Sequence, residues 1–148
     1  MSTAIGVSAD GVRIAISRDK VADITRSVLR SEGVRDALLS VSFVTNHAIK
    51  AMNRSHLRRD RTTDVIAFRF RRTGKNAPII GDVYIAPDVA RASARSNGIT
   101  VREETVRLIV HGTLHVLGYD HPDTVTRSRS AMWRKQERLV ARLAGKGR

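Results

Sequence analysis

The chain has no cysteine. Disulfides are excluded, and so is any thiolate metal ligand, so a bound zinc ion would need nitrogen and oxygen donors. Aromatic residues make up only 4% of the 148 positions, with a single tryptophan. That scarcity argues against the stacking platforms on which RRM and OB-type domains lay bases. No run is long and apolar enough to span a bilayer. The opening residues, MSTAIGVSADGVRIAIS, lack a basic segment followed by a continuous apolar one. No signal peptide is therefore expected, and the expected location is cytoplasmic.

Acidic residues are the other shortage. There are 14 against 27 lysines and arginines, a net charge of +13. Two regions carry much of the excess. The first holds Arg54, Arg58, Arg59, Arg61, Arg69, Arg71, Arg72 and Lys75, opposed by Asp60 and Asp64. The second, from Arg127 to Arg148, contains Glu137 as its one acid. Such a balance favours a polyanionic partner, most plausibly nucleic acid gripped through its phosphates. A merely solvating basic surface is the plainer alternative.

Hydrophobic periodicity gives the order of elements. Val12, Ile14 and Ile16 alternate and predict a first strand. Asp19 is a candidate cap for a helix with Val21, Ile24, Val28 and Leu29 on one side, ended by Gly33. Leu38 to Val44 reads as a second strand. Thr45 or Asn46 can cap a short helix with Ala48, Ile49 and Met52 on one side. Residues 54–63 read as a loop, Val65 to Phe70 as a strand, Arg71 to Pro78 as a loop. Ile79 to Ile85 is a strand interrupted at Gly81-Asp82. Pro87 suits the first turn of a helix reaching Asn97. Thr100-Val-Arg-Glu103 is a capping box that opens the next helix, which closes at Leu117-Gly118. A last helix runs from about Thr126 to Leu143, with Met132, Trp133, Leu139, Val140 and Leu143 for packing. The expectation is one α+β domain over residues 1–148, with a small mixed four-stranded sheet and a helical C-terminal half.

The chemistry is concentrated in His111-Gly-Thr-Leu-His115-Val-Leu-Gly-Tyr-Asp-His121. Residues at i and i+4 share one helical face, so His111 and His115 can reach one ion. Gly118 permits the turn that returns His121 toward it. Three imidazoles leave a tetrahedral zinc one open position, the arrangement of a catalytic site. The spacing is also that of H-E-x-x-H-x-x-G-x-x-H, with Gly112 where a metzincin protease has its glutamate base. The metal geometry is kept while the proteolytic base is absent. His47 and His56 are isolated and read as ordinary polar residues.

These residues resemble the YbeY family of bacterial rRNA-maturation endoribonucleases. HGTLHVLGYDH resembles the family's metal motif at His111, Gly112, Leu114, His115, Gly118, Tyr119, Asp120 and His121. MNRSHLRRDRTTDVIAFRF resembles a second block at Asn53, Asp60, Thr63, Asp64, Val65 and Phe68. IIGDVYIAPDVA resembles a third at Gly81 and Asp82. One position departs. Leu57 stands where the family usually has a functional arginine, and Arg58 and Arg59 follow at once. The resemblance implies a zincin-like α+β fold and one zinc ion on His111, His115 and His121. It also implies cleavage of single-stranded RNA, in small-subunit rRNA end maturation and ribosome quality control. The implied partners are rRNA and ribosomal subunits, with no membrane and no DNA.

A zinc ion lowers the pKa of a bound water to about 7. Either that hydroxide or a ribose 2′-OH can attack phosphorus, and the sequence does not choose. Both routes build negative charge that an arginine fork stabilises. Arg58 and Arg59 are the candidates, with His115 catalytic through the metal. Asp120 can orient a ligand or cap its turn. Asp64 and Asp82 suit loop and strand-end hydrogen bonding or, less readily, the cleft. The rival functions are a non-enzymatic ribosome-assembly factor with a structural zinc and a metalloprotease, the latter disfavoured by Gly112.

Overall fold

The structure, a computed structural model, describes residues 2–57, 65–119 and 131–145. Among the described residues nine elements follow one another: β1 (Thr3–Ala9), α1 (Arg18–Ser31), β2 (Ala37–Phe43), α2 (Asn46–Leu57), β3 (Val65–Arg69), β4 (Ile79–Ile85), α3 (Pro87–Asn97), α4 (Val101–Val116) and α5 (Ala131–Ala144). The strands form one sheet in the order β1-β2-β4-β3. β1, β2 and β4 are parallel, and the edge strand β3 runs antiparallel to β4. The expected α+β architecture with a mixed four-stranded sheet is what is found.

Burial alternates along the strands as a period of two requires. In β2, Ala37, Leu39, Val41 and Phe43 are buried while Leu38, Ser40 and Ser42 face outward. The buried set, with Val83 and Ile85 of β4, packs against Val21, Ile24, Val28 and Leu29 of α1 and Val106, Ile109 and Leu114 of α4. A smaller cluster forms from Ile49, Ile66 and Ala86, with Met52, Phe68 and Tyr84 against it. α4 is the hub, in contact with α1, α3, α5, β3 and β4. A helix surrounded in this way is apolar on most sides, and its histidines stand out against that background.

Several local readings need correction. The first strand is Thr3–Ala9, not Val12–Ile16. Both segments alternate, but only the earlier one pairs with β2, in register from Thr3↔Ala37 to Ala9↔Phe43. The later segment serves as the connection to α1. Ile16 is buried there, and the Arg13 carbonyl accepts from Arg91 Nη2 at 2.7 Å. The cap of α1 is Ser17, whose hydroxyl accepts from the Lys20 N–H, while Asp19 sits in the first turn. α2 continues to Leu57, through part of the predicted loop. β3 ends at Arg69, and β4 runs unbroken through Gly81-Asp82. Trp133 is 39% exposed rather than core, because α5 buries the stripe Met132, Gln136, Leu139 and Val140, and Trp133 falls beside it. The stretch from Thr126 to Ser130, predicted as helix, lies outside the described residues.

Candidate metal centre

α4 begins where the capping box expects. Thr100 Oγ1 accepts from the Glu103 N–H at 3.0 Å, so one of the orphan donors of the first turn is satisfied. It ends in a Schellman turn: the Gly118 N–H bonds the His115 carbonyl and the Tyr119 N–H bonds the Leu114 carbonyl, each at 3.0 Å. Gly118 has φ +103, a backbone state that side chains rarely adopt. The chain therefore turns sharply two residues after the helix, as the spacing of the histidines predicts.

His111 and His115 lie on one face of α4, both half-buried. Their ring centroids are 4.6 Å apart at an interplanar angle of 74°. The two imidazoles are near enough to share a ligand. His121 lies outside the described residues, as do Arg58, Arg59, Asp60, Asp64 and Asp120. Among the described residues no group of three histidines, cysteines or acids forms a metal cluster. The fit of a metal therefore rests on the described pair and its surroundings.

Those surroundings are specific. His111 Nδ1 meets Gln136 Oε1 of α5 at 2.6 Å. The other amide atom, Gln136 Nε2, donates to Glu137 Oε2 at 3.1 Å. Arg107 grips Glu137 with two bonds of 2.8 Å, from Nε and Nη2, and also reaches Glu103 and Glu104. These bonds from Arg107 hold Glu137 below the usual carboxylate range against the upward push of burial. The same pairing raises Arg107 further above its ordinary value, against a smaller opposing effect of burial. An imidazole whose Nδ1 bonds an acceptor carries its proton there and directs the Nε2 lone pair outward, the usual state of a metal-ligating histidine. Two imidazole donors on one helical face suit a metal ion.

A second anchor holds the exit of the turn. Tyr119 Oη donates to Glu32 Oε1 at 2.6 Å, and Lys135 Nζ pairs with Glu32 Oε2 at 2.8 Å. Burial pushes the Glu32 carboxyl up, but the bonds from Lys135 and Tyr119 and the lysine charge outweigh it, and the net shift is downward. Three elements, the end of α1, the turn after α4 and α5, are thus tied together two residues before His121.

Gly112 faces the sheet. A Cβ there would lie 2.5 Å from Val83 Cγ1 and 3.3 Å from Val65 Cγ2. A glutamate at 112 would be driven into the apolar core, so the position cannot serve a peptidase base. Asp82 lies on the sheet face opposite α4, accepting from Ser40 Oγ at 2.7 Å and Tyr84 Oη at 3.3 Å. These bonds reach the neighbouring strand β2 and its own strand from mid-strand, not from a strand end. His47 is exposed at the start of α2.

Two residues escaped the sequence reading. Gln136 occupies a position where the stripe Met132, Leu139, Val140 calls for an apolar residue, and that misfit is the signal that could have found it. Arg69, counted only as part of a basic run, brings Nη1 to 3.2 Å from where a Cβ on Gly118 would stand. Strand alternation was the available signal, since Ile66, Phe68 and Phe70 take the other face.

The sequence profile described as endoribonuclease YbeY matches residues 8–144. A protein of that name from Sulfurihydrogenibium sp. (strain YO3AOP1) is 34% identical over 86% of this chain and 84% of its own length. Another from Syntrophus aciditrophicus is 30% identical over 98% and 92%. Among solved structures, the solution structure of a Thermotoga maritima protein superposes with a TM-score of 0.62 at 25% identity, covering 96% of this chain and 90% of that one. With its fold, its histidine helix and these relatives in agreement, the chain belongs to the YbeY family of endoribonucleases.

Proposed function

We propose that this chain is a zinc-dependent endoribonuclease that cleaves single-stranded RNA, acting in rRNA end maturation and ribosome quality control. The observation that carries the reading is the α4 pair, His111 and His115, with His111 anchored through Nδ1. We read the fold as zincin-like, one domain over residues 1–148, because the histidine-bearing helix packs on the antiparallel edge strand β3 and on β4. His111, His115 and His121 would hold one zinc ion. When bound, that ion would supply an acidified water and polarise a phosphoryl oxygen.

The remaining chemistry falls to the protein. Charge that builds on phosphorus needs a planar, bidentate donor, which guanidinium supplies better than ammonium. Arg58 and Arg59 are the proposed donors, taking over from the position that Leu57 occupies. Arg69, beside the Gly118 turn, adds a guanidinium that grips phosphate. Exposed Arg134, Arg138 and Arg142 recur every four residues along α5 and extend the basic surface for RNA. The partners are rRNA and ribosomal subunits, and the location is cytoplasmic. No described helix is long and apolar enough to cross a membrane.

Two measurements test the proposal. Purified wild type should contain about one zinc per chain, and folded Arg58→Ala/Arg59→Ala should bind RNA nearly as well as wild type while cleaving it severely more slowly. Each 1.36 kcal/mol of lost transition-state contact is worth about tenfold in rate. If no metal condition yields cleavage while ribosomal subunits still bind, the protein is a non-enzymatic assembly factor.

A further inference from the structure

We infer that Gln136 is a positioning residue that locks His111 in a single tautomer, with its direction imposed by Glu137 and Arg107. The inference rests on the metal-site reading above and concerns how this chain prepares one ligand before the ion arrives.

Each link of the chain has one possible polarity. Arg107 can only donate, and its two 2.8 Å bonds fix the Glu137 carboxylate in place. An ionised carboxylate can only accept, so the amide atom facing Glu137 must be the Gln136 NH₂ group. The amide is thereby oriented, and its carbonyl oxygen is the atom presented to His111 at 2.6 Å. A carbonyl only accepts, so His111 Nδ1 must carry the hydrogen. Nε2 is left as the lone-pair donor. Amide and imidazole orientations are usually ambiguous, but a donor-only group at one end of this chain removes the ambiguity.

The placement follows from the helices. Arg107 and His111 are one turn apart on α4, and Gln136 and Glu137 are consecutive on α5. Gln136 is 6% exposed, within the face that packs on α4. A purely structural glutamine there would be an unfavourable choice, since a buried amide must find partners for both ends. Its two ends are spent on setting a ring nitrogen. Groups that bond the far nitrogen of a ligating histidine fix its orientation and basicity, and their loss typically lowers metal affinity about 10–100-fold.

The test uses the full chain and zinc alone. Nitrogen-15 NMR of the imidazole rings in metal-free wild type should report His111 as the Nδ1–H tautomer. Gln136→Met keeps the bulk without the acceptor. It should lose that preference and bind zinc about 10–100-fold more weakly in competition with a chromophoric chelator. Glu137→Gln can donate as well as accept, so it should weaken the preference without removing any contact from His111, and it guards against a Gln136→Met protein that fails to fold. Wild type that binds zinc with His111 protonated on Nε2 would overturn the inference alone, as would Gln136→Met binding zinc as tightly as wild type. Wild type that binds no zinc yet keeps the Nδ1–H tautomer would overturn the metal-site reading, and with it the role given to Gln136.

Discussion

Replacing Gly112 by alanine sets helix propensity against packing, and packing should win. Alanine in a helix interior is favoured over glycine by about 1 kcal/mol. The added methyl would stand 2.5 Å from Val83 Cγ1, with Val65 Cγ2 and Val83 Cγ2 both at 3.3 Å. Carbon atoms prefer about 3.5–4.0 Å, so roughly 1 Å must be found between α4 and β4. Val83 is fully buried and β-branched, and it cannot swing away cheaply. Overpacking of this kind costs about 1–3 kcal/mol. Set against the propensity gain, the net loss should be about 1–2 kcal/mol, near the upper part of what those ranges allow because the contact is so short. For a chain of this size that lowers Tm by roughly 2–8 °C. Thermal melts of metal-free protein would measure it, avoiding stabilisation by bound ligand. Val83→Ala in the same molecule should recover part of the loss, and a double-mutant cycle reads the coupling. A Gly112→Ala protein more stable than wild type, or no coupling to Val83, would refute the close approach of α4 to the sheet.

The metal-free protein should also lose stability as pH falls through the range below 4.5, the ordinary glutamate value. Glu32 and Glu137 both titrate below that value when folded, so the unfolded chain binds the extra protons first. Their contribution is complete above 4.5 and disappears on acidification. Melts against pH should show Glu32→Gln and Glu137→Gln with a shallower acid limb, and an unchanged limb in both would contradict the pairings. RNA affinity should fall steeply and linearly on a log–log plot against salt, because phosphate contacts release counterions. A flat plot would mean that the +13 charge only solvates. Gly112→Glu should yield an unstable protein with no peptidase activity, since the carboxylate would be forced toward Val83 and Val65. Digestion of an unfolded protein by a folded variant would show that the position does reach the cleft.

Much of the architecture was legible because it depends on local rules. Pro87 opening α3, the Thr100 cap and the Gly118 turn are each set by a few neighbouring residues, and each appears where the sequence puts it. The first strand was not legible in that way. Thr3–Ala9 and Val12–Ile16 alternate alike, and only pairing with β2, more than thirty residues away, selects between them. The exposure of Trp133 is hidden from the sequence for a similar reason, since the partner of α5 decides which stripe faces inward. At the site, spacing identified His111 and His115 as neighbours on one helix. It could not reveal Gln136, because the bond to His111 spans 25 residues and joins two helices. Arg69 likewise required knowing that β3 lies beside the end of α4.

The central claim is that the histidine helix supports metal-dependent RNA cleavage, and one comparison tests it most directly. Zinc-loaded wild type and His115→Ala would be assayed on single-stranded RNA, with and without chelator. Circular dichroism would first establish that the variant is folded, because a histidine that binds zinc can also stabilise the fold. The account predicts cleavage by wild type that chelator abolishes and zinc restores, and none by His115→Ala under any of these conditions. A folded His115→Ala protein that cleaves RNA at the wild-type rate would contradict it.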